Sequence, residues 1–238
     1  MKNYQFRPGW AASLAVATLL PLFVSLGFWQ LHRAEEKSLL MEQREHRLAE
    51  AILAADTPDW ATEGHRYRRI EQVGEFDAEH QFLLDNQMYN RQPGYLVLTP
   101  LRIQGQPAAI LVNRGWLPVG KDRSQLPGLG IGQTQVRFVG VIDKFPGVGF
   151  KLKGADIPAP GWPAVVQVTN IEQLSARLGY PLSPYQVLLP PDAPAAYARD
   201  WQPASLHPET NQAYALQWFS FALAISVLFA WYGVKPKG

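Results

Sequence analysis

Two long uncharged runs, one near each end of the chain, restrict the fold more than any other feature. Trp10–Leu31, "WAASLAVATLLPLFVSLGFWQL", carries no charge in 22 residues, and Ala213–Tyr232, "AYALQWFSFALAISVLFAWY", carries none in 20. Each is long enough to cross about 30 Å of hydrocarbon as a helix. Core helices of soluble proteins seldom stay uncharged for so long, so two membrane spans are expected. The first run has the basic start of a secretory leader (Lys2, Arg7). However, it ends in the bulky "LGFWQLHR" without a small-x-small cleavage pattern, which favours a retained anchor. The N-terminal segment also lacks the Arg- and Ser-rich character of an organelle transit peptide, pointing to a bacterial protein.

Two spans put both tails on one side of the bilayer. Lys2 and Arg7 precede the first span and Lys235 and Lys237 follow the second, and positive tails prefer the cytoplasm. Arg33, Lys37, Arg44 and Arg47 oppose this order, but a segment of about 180 residues translocates largely regardless of its charge. The reading is a multi-pass protein of the bacterial inner membrane with a periplasmic central domain. The boundaries follow as an N-terminal tail at 1–9, a span at 10–31 and its helical extension at 32–56. A β domain at 57–190, a Pro-rich return at 191–212, a span at 213–232 and a C-terminal tail at 233–238 complete the chain.

After the first span, "HRAEEKSLLMEQREHRLAEAILAA" is rich in helix formers and free of Gly and Pro, so the helix should continue toward "DTPDW". From Arg66 the period changes to two. "RYRRIEQVGEFD", "HQFLLDN", "GYLVLTPLRI", "AAILVNRGWL", "TQVRFVGVID" and "AVVQVT" read as short strands separated by turn signals. One short helix is predicted at "NIEQLSARLG", capped by Asn170 and ended by Gly179. The fold class is therefore two transmembrane helices flanking a mainly antiparallel β domain, sandwich or open barrel, with one short helix.

Chemistry-bearing motifs are scarce. The chain has no cysteine, which excludes thiolate metal sites and Cys nucleophiles. Its net charge of +2 is too small to argue for nucleic acid. It lacks a His-Glu-x-x-His, a Gly-x-Ser-x-Gly and a phosphate loop. "GLGIGQ" precedes a strand-like run and reads as a turn rather than a dinucleotide loop. The histidines at 32, 46, 65, 80 and 207 stand singly, so no metal ligands can be assigned. Within "AILVNRGWL", alternation puts Arg114 on one face with Ile110, Val112 and Trp116. A charge there wants a partner, and Asp85 is the candidate. A structural pair is favoured over a substrate-binding arginine.

The second span opens on polar and aromatic residues. Tyr214, Gln217, Trp218 and Phe221 fall at i, i+3, i+4 and i+7 on one helical stripe. In the first span Trp29 and Arg33 share a face, and Gln30, Arg33 and Lys37 share an adjoining one. Interfacial anchoring accounts for the aromatics. It does not account for Gln217, about 5–7 Å inside the span, which is expected to face the partner helix or a polar cavity.

"LGFWQLHRAEEK", "LLDNQ…PGYLVLTPL", "AAILVNRGWLP" and "YALQWFSFALA", in this order and with the two-span plan, resemble the Surfeit-locus-protein family of cytochrome c oxidase assembly factors. The resemblance rests on Gly27, Trp29, Gln30, Arg33 and Lys37 at one end and on Asn113, Arg114, Gly115 and Trp116 in the β domain. It implies a non-enzymatic role in assembling haem-copper cytochrome c oxidase, at or near haem insertion into the large subunit. By the same resemblance, Trp29, Gln30, Arg33, Tyr214, Gln217 and Trp218 would line the region where transiently bound haem a or the oxidase subunit docks. Haem A synthase and the lipid bilayer are further implied partners. Family members commonly carry a histidine three residues before the tyrosine of the second-span motif, proposed as an iron ligand. Here that position is Asn211, and asparagine is a poor iron ligand. His207 and His32 are the candidate substitutes, with Pro208 disfavouring helical geometry at 207. A haem-independent scaffold for oxidase subunits remains the alternative. A membrane-anchored ligand-binding sensor or hydrolase using the Asp85–Arg114 region is the third reading.

Overall fold

The computed structural model describes the chain except residues 1–3, 121, 124, 148–151, 191, 194–195, 199–206 and 237–238. Lys2, Lys237 and much of the predicted Pro-rich return lie outside the described residues. In chain order the elements begin with β1 (Tyr4–Phe6), α1 (Trp10–Ala49), β2 (Arg69–Phe76), β3 (Phe82–Tyr89) and β4 (Gln92–Arg102). They continue with β5 (Ala109–Pro118), β6 (Gln135–Asp143), β7 (Ala164–Val166), α2 (Ile171–Leu178) and β8 (Leu182–Leu188), and end with α3 (Pro208–Gly233) and β9 (Val234–Pro236). They group into two compact units, Met1–Gln43 with Gln202–Gly238, and Arg44–Trp201.

The first unit is a helical hairpin. α1 and α3 are both long and apolar enough to cross a membrane. Small residues turn inward: Gly27 and Ala34 are the buried residues of α1, and Ala215, Ala222 and Gly233 those of α3. Apolar helices in lipid gain little from burying hydrocarbon, so close approach at small residues supplies the packing. Gly27 shows this directly. A Cβ there would sit 2.6 Å from the Phe219 ring, and Phe219 in turn meets Phe28 edge-on at 5.4 Å. Hydroxyls within the apolar runs are satisfied locally, with Thr18 donating to the Leu14 carbonyl and Ser226 to that of Ala222. At the far end of the hairpin, β1 and β9 pair as an antiparallel ribbon, Phe6 opposite Val234 and Gln5 opposite Lys235.

The second unit is a rolled sheet in the order β2-β6-β8-β5-β4-β3-β7, closed by a further pairing of β2 with β4. Glu75 and Phe76 meet Arg102 and Leu101 at this closure. Gly74 makes it possible, because any Cβ there would strike the Arg102 carbonyl. Inside the roll lie Ile70, Ile110, Ile142 and Val187, with Leu101, Val112 and Leu189 beyond them. α2 covers Phe82, Leu84, Leu111 and Val166 with Leu174. Asn170 caps it by accepting from the Glu172 and Gln173 amides, and Gly179 ends it in the left-handed region.

The sequence reading did not contain β8. "LSPYQVL" carries Pro184, and a proline argues against an interior strand. Yet β8 runs between β5 and β6, parallel to the first and antiparallel to the second. The ladder with β5 jumps from Ala109–Leu182 to Leu111–Gln186, so Pro184 sits in an unpaired stretch where its missing N–H costs no ladder bond.

Candidate functional site

The polar end of the hairpin is organised by one residue. Gly27, Gln30, Ala34 and Lys37 recur at alternating spacings of three and four on α1, and Asn211, Ala215, Trp218 and Ala222 do so on α3, so each set forms one stripe. Asn211 Nδ2 donates to Gln30 Oε1 at 2.6 Å, and Lys37 Nζ donates to Asn211 Oδ1 at 2.7 Å. Both ends of the amide are thus committed across the helix pair. Two helical turns deeper the contact becomes aromatic, with Trp218 stacked on Phe23 at 5.8 Å and edge-on to Phe221.

The other predicted site residues lie around this seam rather than in it. Trp29, Arg33, Tyr214 and Gln217 are exposed on the hairpin surface. Arg33 donates to Glu36 at 2.6 Å on its own helix. Gln217 does not face α1, the first of the two placements expected for it, and its side chain is exposed. Ala215 faces the partner helix, and two residues further turn the side chain about 200° away. The amide that does enter the interface is that of Asn211. His32 is exposed, with its imidazole 3.3 Å from Glu36. His207 precedes the helix, which starts at Pro208, and its Nδ1 lies 2.8 Å from Glu209 Oε1. Among the described residues of the hairpin, no imidazole lies in the seam.

The β domain holds its own charged core. Arg114 is fully buried. Its Nη1 donates to Gln81 Oε1 at 2.8 Å, its Nη2 to the Gly130 carbonyl at 3.0 Å, and the Tyr197 ring lies 4.8 Å from the guanidinium carbon. Gln81 is itself fixed by donating to the Ala78 and Leu129 carbonyls. Burial pushes the Arg114 pKa down, with Tyr197 opposing that shift. Asp85 is not its partner: that carboxylate pairs with Arg123 at 3.1 Å. Nor does Trp116 share its face. β4 and β5 slip by one residue between Leu96–Trp116 and Leu98–Asn113, and Gly115 at φ +111° absorbs the bulge. Trp116 is therefore turned to the opposite side of the sheet, where its Nε1 donates to the Gln87 carbonyl. The residue pair on which a sensor or hydrolase reading depended is thus divided between separate partners.

A second polar network joins residues far apart in sequence. Asp77 accepts from the Tyr180 hydroxyl at 2.8 Å and lies 2.8 Å from His80 Nδ1, and Arg102 stacks over the Tyr180 ring at 4.4 Å. Burial works against the Asp77 carboxylate, but the bonds from Tyr180 and His80 and the Arg102 charge prevail and hold its pKa below the ordinary value. Burial and the Asp77 carboxylate together push the Tyr180 phenol well up. Sequence reasoning missed this network, because no local spacing links residues 77–80 to residue 180. Among the described residues, no group of three or more His, Asp or Glu is placed to hold a metal ion.

Comparison with known proteins matches residues 17–223 to the model of the SURF1 family. A SURF1-like protein of Rickettsia conorii is 26% identical over 225 residues, covering 89% of this chain and 86% of that protein. A SURF1-like protein of Caenorhabditis briggsae is 32% identical over 133 residues, and Surfeit locus protein 1 of Arabidopsis thaliana 34% identical over 113. These two matches span only 41% and 32% of the relatives' own lengths. The family match runs from inside the first apolar helix, through the β domain, into the second. The chain belongs to the SURF1 family.

Proposed function

We propose that this protein is a membrane-anchored assembly factor for haem-copper cytochrome c oxidase, acting in the bacterial inner membrane with its β domain in the periplasm. Family membership over most of the chain is the observation that carries this reading. Its finer form is assistance with haem insertion into the large subunit, with haem a held transiently at the polar end of the hairpin. Arg33 and Lys37 lie at that end and carry the charge that suits the propionates of such a ligand. The donor set does not suit axial ligation of the iron. The amide at position 211 is committed to Gln30 and Lys37, and His32 and His207 each lie against a glutamate on the exposed surface. That observation favours the second reading, a haem-independent scaffold holding oxidase subunits while haem is inserted.

Deletion of the gene tests the common part: assembled oxidase should fall while haem synthesis stays intact, and normal oxidase levels would reject the proposal. An absorption spectrum of the protein co-expressed with the haem A biosynthesis enzymes separates the two forms. A haem band lost in His207→Ala or His32→Ala restores the carrier with an axial histidine. No band, despite haem in the membranes, leaves the scaffold.

A further inference from the structure

The opposite end of the hairpin is built to meet a lipid. Between α1 and α3 at that end lies a cleft of about 280 Å³ with apolar walls. Ala12, Ala15 and Val16 form one side, and Ile225, Phe229 and Tyr232 the other. The small α1 residues leave room that leucines would have filled. The ribbon just beyond it is two-faced. Phe6 turns toward the hairpin, meeting Phe229 edge-on at 5.5 Å and lying against Gly233. Side chains alternate along a strand, so Gln5 and Arg7 point the other way, and Lys235, directly opposite Gln5, shares their face. The Arg7 amide donates to the Gly233 carbonyl at 2.7 Å, which closes the ribbon onto the end of α3. Trp10, Trp231 and Tyr232 ring this end at 81%, 74% and 75% exposure. Such exposed aromatics belong at the headgroup level of a bilayer.

We propose that this end binds an anionic phospholipid, with an acyl chain in the cleft and its phosphate against Arg7 and Lys235. The assignment rests on the reading of α1 and α3 as membrane spans. Charge complementarity selects the occupant: the cleft is apolar, and the side chains presented beyond it are cations held on one face of a fixed ribbon. Basic groups between spans on the cytoplasmic side recognise anionic headgroups in this way. A zwitterionic lipid would fill the cleft equally well but would gain nothing from the ribbon.

The test uses the full chain in vesicles of phosphatidylcholine containing a small fraction of phosphatidylglycerol, with bromine on the acyl chains of one lipid or the other. Bromine quenches tryptophan on contact, and Trp10 and Trp231 flank the cleft. Brominated phosphatidylglycerol should quench at about one tenth the mole fraction needed for brominated phosphatidylcholine. Arg7→Gln with Lys235→Gln, both surface changes, should abolish that preference, and Ala12→Phe should reduce it by filling the cleft. Equal quenching by the two lipids overturns the site while leaving the spans in place. Quenching by neither overturns the spans and the site together. A preference that survives Ala12→Phe but not the charge changes removes the cleft from the proposal.

Discussion

The bond between Lys37 and Asn211 should measurably hold the two apolar helices together. Removing either partner strands the other: Asn211→Leu leaves the part-buried lysine amine without its acceptor, and Lys37→Met leaves an amide oxygen without its donor. Interhelical polar pairs in membranes average about 0.6 kcal/mol and reach about 1.7 kcal/mol. This pair is short and has one charged member, which places it in the upper half of that range, at about 1–1.5 kcal/mol of coupling. The chain has no cysteine, so a donor and an acceptor dye can be attached cleanly at Leu39→Cys and Gln212→Cys, two exposed positions near the pair. Energy transfer between them, followed through reversible unfolding in mixed micelles, gives the hairpin free energy for wild type, both single variants and the double variant. The double variant should be little worse than the more damaging single one. Additive losses, with coupling below about 0.3 kcal/mol, would show that the bond does not stabilise the hairpin and would refute the reasoning.

Three further outcomes follow from the β domain. Arg114→Ala should cost about 3–5 kcal/mol, from the cavity and the stranded Gln81 oxygen, lowering the thermal midpoint by about 2–4 °C per kcal/mol; a shift under 3 °C would reject its role as a core organiser. Gln72 is fully buried, and neither of its amide atoms has a hydrogen-bond partner among the described residues, so Gln72→Met should raise stability in denaturant by about 1 kcal/mol, and a loss would reveal a bound internal water. Asp77, with a depressed pKa, contributes stability that is complete above the ordinary aspartate value of about 3.9 and is lost as pH falls through its lower folded value. Tyr180, with a raised pKa, contributes stability that is complete below about pH 10 and is lost as pH rises beyond it. Unfolding curves across pH should therefore be steeper at both extremes for wild type than for Asp77→Asn with Tyr180→Phe, and identical pH slopes would remove the network from the stability account.

What the sequence disclosed was whatever local periodicity controls. The uncharged runs, the six strand-like segments and the short helix from Asn170 to Gly179 each follow from spacing within a few residues, and the structure contains them all. Non-local pairing hid the rest. β8 was concealed by Pro184, whose cost vanishes because its neighbours slip register against β5. The facing of Trp116 was misread because strict alternation cannot register a bulge, although Gly115 after a buried arginine was the available signal. Asp85 and Arg114 looked like natural partners by charge alone, but Arg123 takes the first, and Gln81 and Gly130 hold the second. At the hairpin an amide does enter the interface, but it is that of Asn211 and not of Gln217. Gln217 stood out for its depth, whereas helical phase relative to the small residues decides which side chain meets α1.

Helical phase also bears on what the asparagine does. A histidine at position 211 would stand on the same stripe as Ala215 and Ala222, beside Gln30 and Lys37. A neutral imidazole there could still accept from one neighbour and donate to the other. Coordination of an iron would consume one of those two nitrogens and release a partner from its bond. Asparagine cannot make that exchange in favour of iron, and its two bonds instead close the seam. The two ends of the hairpin lie about 30 Å apart along α1, from Trp10 to Gln30. Both are now held by cross-helix polar bonds: the ribbon at one end and the Gln30–Asn211–Lys37 chain at the other. A helix pair tied at both ends resists splaying. The physical consequence of asparagine at this position is an amide with both of its ends committed across the helix pair.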